Sequence, residues 1–254
     1  MAQTGEMTFW DHLEDLRKCI FRMLTVYVTA VVALFFFKGF LFDDIILAPS
    51  KSDFFLYRIL GADFSMTLVN IEVAAQFLIH MKITFISALI FTFPYLIYEV
   101  WRFIAPALYA KEKRAVSGAF AFASVLFYIG VAVGYLIVFP LMLNFFSGYQ
   151  VSPDIPNTFS LTSYISLFTS LILTFGVVFE FPTVVAVLSS LGILSKEMLK
   201  SFRRHAICAV MILAAVITPS GDPFSLMVVS LPLYLLYEFS ILICSQRRDV
   251  KVEE

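Results

Sequence analysis

Apolar residues run through this chain in long, nearly unbroken blocks, and the charged residues gather between them. A helix rises about 1.5 Å per residue, so about 20 apolar residues cross a hydrocarbon core of about 30 Å. Six blocks are candidate spans: about 23–42, 73–98, 115–139, 161–188, 206–217 and 224–237. The polar stretch 147–160, with Pro153, Asp154, Pro156 and Asn157, predicts a loop between the third and fourth. Only Thr218, Pro219, Ser220, Gly221, Asp222 and Pro223 separate the last two blocks, which predicts a tight helical hairpin. Twelve helical residues reach about 18 Å, so the fifth block either crosses a locally thinned bilayer or belongs to a re-entrant hairpin. The expected fold is all-α, a polytopic membrane protein with six transmembrane helices, the two C-terminal spans short, in one integral membrane domain over 1–254. Ahead of the first block, Thr8 and Asp11 have capping-box spacing, and Trp10, Leu13 and Leu16 fall on one face. These features predict a short interfacial helix within 1–22, lying on the inner leaflet.

Composition agrees with lipid as the main solvent: 60% of the 254 residues are hydrophobic, 15% are charged, and 29 are Phe. A net charge of −1 excludes the strongly basic surface that nucleic acid requires. The first apolar block is long and lacks a small-residue cleavage pattern, so it is expected to stay in the membrane. Cys19, Cys208 and Cys244 show no paired spacing and are expected to be thiols.

The basic residues set the orientation. Fourteen of the eighteen Lys and Arg fall on one side, in the groups Arg17, Lys18, Arg22; Arg102, Lys111, Lys113, Arg114; Lys196, Lys200, Arg203, Arg204; and Arg247, Arg248, Lys251. The positive-inside rule then makes both termini cytoplasmic, with 238–254 as a cytoplasmic end. Lys38, Lys51, Arg58 and Lys82 lie in or beside the first outer loop. Lys82 and His80 read as snorkelling side chains near the outer end of the second span.

Glu180 is the acid within a span, and a carboxylate there costs roughly 2–4 kcal/mol unless it faces a cavity, finds a partner or is protonated. Function is the default reading, with a structural hydrogen bond as the alternative. Pro94, Pro140, Pro182 and Pro232 each remove a backbone donor inside an apolar block. Helices so kinked can build a concave wall for an apolar ligand, or pack as an ordinary bundle. No Walker loop, Gly-x-Ser-x-Gly elbow or His-Glu-x-x-His motif occurs, and His12, His80 and His205 are far apart. No catalytic residue, metal site or cofactor is expected.

Several segments, in order, resemble the TatC family, the multi-span subunit of the twin-arginine protein translocase. They are His12, Leu13, Glu14, Asp15, Leu16, Arg17, Lys18; the run from Tyr98, Glu99 through Trp101, Arg102, Phe103, Ile104, Ala105, Pro106, Ala107, Leu108, Tyr109 to Lys111, Glu112, Lys113; Phe127, Tyr128, Ile129, Gly130; Phe175, Gly176 with Phe179, Glu180, Phe181, Pro182; and Thr218, Pro219 with Asp222. The resemblance implies a glove-like, six-span concave bundle in the bacterial cytoplasmic membrane. It also implies recognition of twin-arginine signal peptides and export of folded proteins, driven by the proton-motive force. Partners would be the small single-span TatA- and TatB-type subunits and membrane lipid, in an oligomeric active complex.

Arginine chemistry fits this picture, because a guanidinium is best matched by a carboxylate accepting parallel hydrogen bonds. By resemblance Glu112 is the signal-binding acid. Asp15 stands where the family has Glu and keeps its register, with Glu14 beside it as the alternative. Arg17 would position the acid, and Phe103, Leu108 and Tyr109 would supply apolar contact. Glu180 would face the intramembrane pocket, while Pro49 and Asp222 would shape the periplasmic cap. The rival reading is a proton- or ion-coupled secondary transporter with Glu180 as its coupling acid, although the expected inverted repeat is missing. A structural scaffold is the third class.

Overall fold

The computed structural model describes residues 9–61, 64, 66–107, 110–152, 154–155, 157–218 and 221–244, and gives the backbone alone for 9, 11, 60, 107 and 110–116. The chain runs through α1 (Phe9–Phe36), α2 (Phe55–Leu60), β1 (Leu68–Val69), α3 (Ala75–Ile104), α4 (Ala110–Val133), α5 (Phe139–Gly148) and β2 (Phe159–Ser160). It continues through α6 (Leu161–Val178), α7 (Phe181–Ser190), α8 (Lys196–Ser201), α9 (Arg203–Ile217) and α10 (Pro223–Ile243). Among the described residues, five segments are long and apolar enough to cross a membrane: His12–Phe36, Ala75–Ile104, Ser117–Gly148, Leu161–Ser190 and Pro223–Ile243. α9, with 15 residues, spans about 22 Å and is the short member of the C-terminal hairpin.

Three boundaries differ from the apolar blocks. α1 takes in the segment expected as a separate interfacial helix: nothing between Phe9 and Phe36 is Gly or Pro, so the backbone has no reason to break. α3 continues past the second block to Ile104, and α10 continues past the sixth to Ile243, so only α9 of the hairpin is short. In both helices a glutamate ends the apolar run without ending the helix. Two other spans are broken. Between α4 and α5 a π-helical segment, Gly134–Val138, leads into Pro140 in the first turn of α5. Between α6 and α7 the chain turns at Phe179 and Glu180, with Pro182 in the first turn of α7, where its missing N–H costs nothing. Pro94 and Pro232 lie inside continuous helices.

The helices alternate in direction, which collects Arg22, Arg102, Lys200 and Arg203 at one end of the bundle, the basic end. α1 packs on α3, α4 on α6 and α7, and α10 on α7 and α9. α1 is the least embedded span, 6% buried over its most apolar window. It is fastened to α3 near the basic end by Arg22 and Glu99, midway by the Tyr27 hydroxyl donating to Phe85 O at 3.1 Å, and at the other end by Phe35 stacked on His80 at 4.4 Å. α4 and α6 meet at glycines: a Cβ on Gly130 would lie 2.5 Å from Phe175 O. The three cysteines form no disulfide.

The opposite end is closed by the loop after α1. It folds as a π-helical turn, Phe40–Ile46, a 3-10 turn, Ala48–Ser50, and α2. Tyrosines hold it together and tie it to the spans: Tyr57 OH donates to Pro49 O at 2.9 Å within the loop and reaches Pro140 O of α5 at 3.4 Å, Tyr135 OH donates to Ile45 O at 2.7 Å, and Tyr164 OH to Ile46 O at 2.6 Å. β1 and β2 pair in parallel, Leu68 with Phe159 and Val69 with Ser160, joining this loop to the one before α6.

Candidate functional site

The basic end of α1 faces the end of α3 and the 3-10 turn Ala105–Ala107 that leads into α4. Between them lies a pocket of about 200 Å³, lined by His12, Asp15, Lys18, Cys19, Arg22, Arg102, Phe103 and Pro106. One wall is made by helical spacing along α1, where His12, Asp15, Lys18 and Cys19, then Arg22, recur three and four residues apart. The other is made by the last turn of α3. His12 stacks on Phe103, with ring centroids 4.7 Å apart, and so bridges the two walls. Lys18 is drawn to Glu14 at 2.9 Å. Asp15 is exposed and opens into the pocket.

Behind this surface lies a buried carboxylate. Glu99, 2% exposed, holds Arg22 Nε at 3.0 Å and Nη2 at 2.9 Å on Oε2, while Oε1 accepts the Tyr95 hydroxyl at 3.0 Å. Arg102 Nη1 stands 3.9 Å from Oε1, and Cys19 Sγ lies 3.5 Å from the Glu99 carbonyl. The same device closes the C-terminal helices at this end. Tyr234 OH donates to Glu238 at 3.0 Å, and Arg203 Nη2 reaches Glu238 Oε2 at 2.6 Å. In each case a Tyr and a Glu four residues apart receive an Arg from another helix.

The structure thus brings Asp15 and Phe103 into one pocket. Arg17 lies over the Phe21 ring at 5.7 Å and is not among the residues lining it. Glu14 is occupied with Lys18. Leu108 and Tyr109 lie outside the described residues; for Glu112 the structure gives only its place in the first turn of α4, at the pocket's edge in sequence.

Glu180 sits at the break between α6 and α7, where its Oε1 is buried without a hydrogen-bond partner, as is Thr183 Oγ1. Two apolar grooves flank these helices, one of about 430 Å³ between α1, α3, α4 and α6, the other of about 510 Å³ among α7 to α10. Val178 and Phe181 line the second, and Glu180 is not among the residues lining either groove. At the opposite end Pro49 is buried in the 3-10 turn, and Asp222 caps α10 by accepting the Ser225 N–H at 2.8 Å. Among the described residues no cluster of His, Cys, Asp and Glu could hold a metal.

The sequence profile described as "Sec-independent protein translocase protein (TatC)" matches residues 11–232 of the chain. The chain belongs to the TatC family. The TatC protein of a Blattabacterium strain (subsp. Periplaneta americana) is 37% identical, over 95% of this chain and 96% of its own length. That of Escherichia coli K12 is 34% identical, over 91% and 85%. A crystal structure described as the twin arginine translocase receptor TatC superposes with a TM-score of 0.74 at 30% identity, covering 91% of this chain and 97% of that one. The TatC fold is therefore the fold of this chain, a multi-pass helical membrane protein of a protein-transport family.

In the sequence Glu99 stands only as one residue of a motif, and nothing there singles it out as the carboxylate buried behind the pocket. The signal available was the Tyr95–Glu99 spacing, repeated at Tyr234–Glu238, each at a helix end where an unpaired acid would be costly.

Proposed function

We propose that this chain is the signal-peptide receptor and core subunit of a twin-arginine translocase that exports folded proteins across the bacterial cytoplasmic membrane. The observation that carries this reading is the pocket at the basic end, where Asp15 opens beside Phe103 and His12, at the point from which α4 carries Glu112. Both termini are cytoplasmic, since the basic end holds the side that positive-inside sorting assigns to the cytoplasm. A signal peptide docks its two arginines on Glu112 and Asp15 and lays its apolar segment along the helices. Each charge-assisted contact is worth roughly 1.5–3 kcal/mol and reads the guanidinium, whereas apolar burial discriminates little.

The energy for transport comes from the proton-motive force, and the small single-span TatA- and TatB-type subunits complete the active complex. Glu180, whose Oε1 is buried without a hydrogen-bond partner among the described residues, is the group we assign to a polar side chain of such a partner helix. Export of a folded reporter in cells supplying both small subunits tests the assignment. Export that requires this chain and both partners supports it; solute uptake by the purified chain alone in vesicles would favour a secondary transporter instead.

A further inference from the structure

Arg22 and Arg102 line the Asp15 pocket, 41% and 58% exposed, whereas Glu99 behind them is 2% exposed. The guanidinium of Arg22 therefore stands between the pocket and the carboxylate, with Nε and Nη2 both on Oε2. The other oxygen is held by Tyr95, and Arg102 at 3.9 Å is beyond hydrogen-bond reach of it. Among the described residues Asp15 is the one carboxylate on the pocket wall, facing Lys18, Arg22 and Arg102. A pocket meant to receive arginines is thus walled largely by cations, and its second acid lies one layer back, already bound to an arginine of the same chain.

From this geometry we infer that Glu99 is a further arginine-reading carboxylate, masked by Arg22 until a guanidinium from a docked peptide replaces Arg22 on it. The inference rests on the receptor reading above and adds a specificity element to it. Replacing one guanidinium by another keeps the buried carboxylate compensated, which matters because an uncompensated buried charge is strongly disfavoured. The displaced Arg22 is long and already half in solvent, so its head group can move to water or lipid head groups. A lysine cannot make the exchange on equal terms. Its ammonium is a strongly hydrated point charge without the planar fork that places two N–H groups on Oε2. The buried carboxylate therefore discriminates against paired lysines whether or not Arg22 covers it.

Binding of a synthetic peptide with paired arginines before an apolar segment, to the full chain in lipid nanodiscs, tests this against a paired-lysine peptide. Arg22→Gln is expected to tighten the arginine peptide about 3- to 10-fold and to shift the lysine peptide less than about twofold. The double variant Arg22→Gln/Glu99→Gln has the pocket charge of the unmodified chain but no carboxylate to uncover, and is expected to lose the gain. Should Arg22→Gln not fold, Arg22→Lys weakens the mask and is expected to move affinity in the same direction. No gain on unmasking, an equal gain for both peptides, or a gain that survives in the double variant would overturn the inference while the receptor reading stood. An unmodified chain that binds arginine and lysine peptides alike would overturn both.

Discussion

Gly176 lies directly under the Phe127 ring: a Cβ on the glycine would stand 2.7 Å from Phe127 Cε2 and 3.1 Å from Val131 Cγ2. Phe127 cannot give way, because it is 1% exposed and stacked face to face on Phe93 with centroids 3.6 Å apart. On the facing helix Gly130 is pressed against the Phe175 carbonyl, which is backbone. Small residues at such a crossing let two spans approach closely, and packing supplies the association between helices in lipid.

Gly176→Ala is therefore expected to destabilise the bundle by about 1–3 kcal/mol, and Gly130→Ala by at least as much, since the atom it meets cannot rotate away. Thermal unfolding in detergent checks both. A methyl at Gly118, inside α4 with nothing within 4 Å, meets no clash and should leave the midpoint unchanged or slightly raised, which serves as the control.

The cap at the opposite end depends on Tyr57, whose hydroxyl reaches both Pro49 O and Pro140 O, at 2.9 and 3.4 Å. Tyr57→Phe leaves those carbonyls without this donor and is expected to cost about 1–3 kcal/mol. Increased cleavage of the 43–72 loop by an added protease reports the loss. Burial pushes the Tyr57 phenol up from its ordinary value. A raised folded value means that the contribution is complete below about pH 10, the unfolded tyrosine's range, and is lost as pH rises beyond it. The unfolding midpoint of the unmodified chain should therefore fall above pH 10, and less steeply in Tyr57→Phe.

Glu180→Gln is expected to leave the free chain's stability within about 1 kcal/mol, because Oε1 has no hydrogen-bond partner among the described residues and an amide can keep any contact with the neighbouring Thr183 hydroxyl. Co-purification of a single-span partner subunit should fall about 3- to 10-fold, as a charge-assisted contact becomes a neutral one. Equal recovery of the partner with both chains would remove Glu180 from that interface.

The spans were legible because lipid demands long apolar runs, and hydropathy reads that demand directly. What hydropathy misread were the ends. The second block stops at Tyr98 and the sixth at Tyr237, yet α3 and α10 run on, because Glu99 and Glu238 are neutralised by Arg22 and Arg203 from other helices. Pairing across 77 residues leaves no local pattern. For the same reason the pocket was only half legible. Asp15 and Phe103 came from motif resemblance, but the masked carboxylate behind them becomes visible only once α1 lies against α3. The cap was the least legible part: the tyrosines that hold it donate to backbone carbonyls, and a carbonyl carries no residue identity.

The central claim is that acids at the basic end read paired arginines on another chain. Its most direct test is photocrosslinking from a probe beside the arginines of a signal peptide to the full chain in membranes, with the Asp15→Asn and Glu112→Gln variants. Adducts are expected in the 103–112 segment with the arginine peptide, weak adducts with paired lysines, and at least about a tenfold loss when both acids are neutralised. Adducts of undiminished yield in the double variant would contradict it.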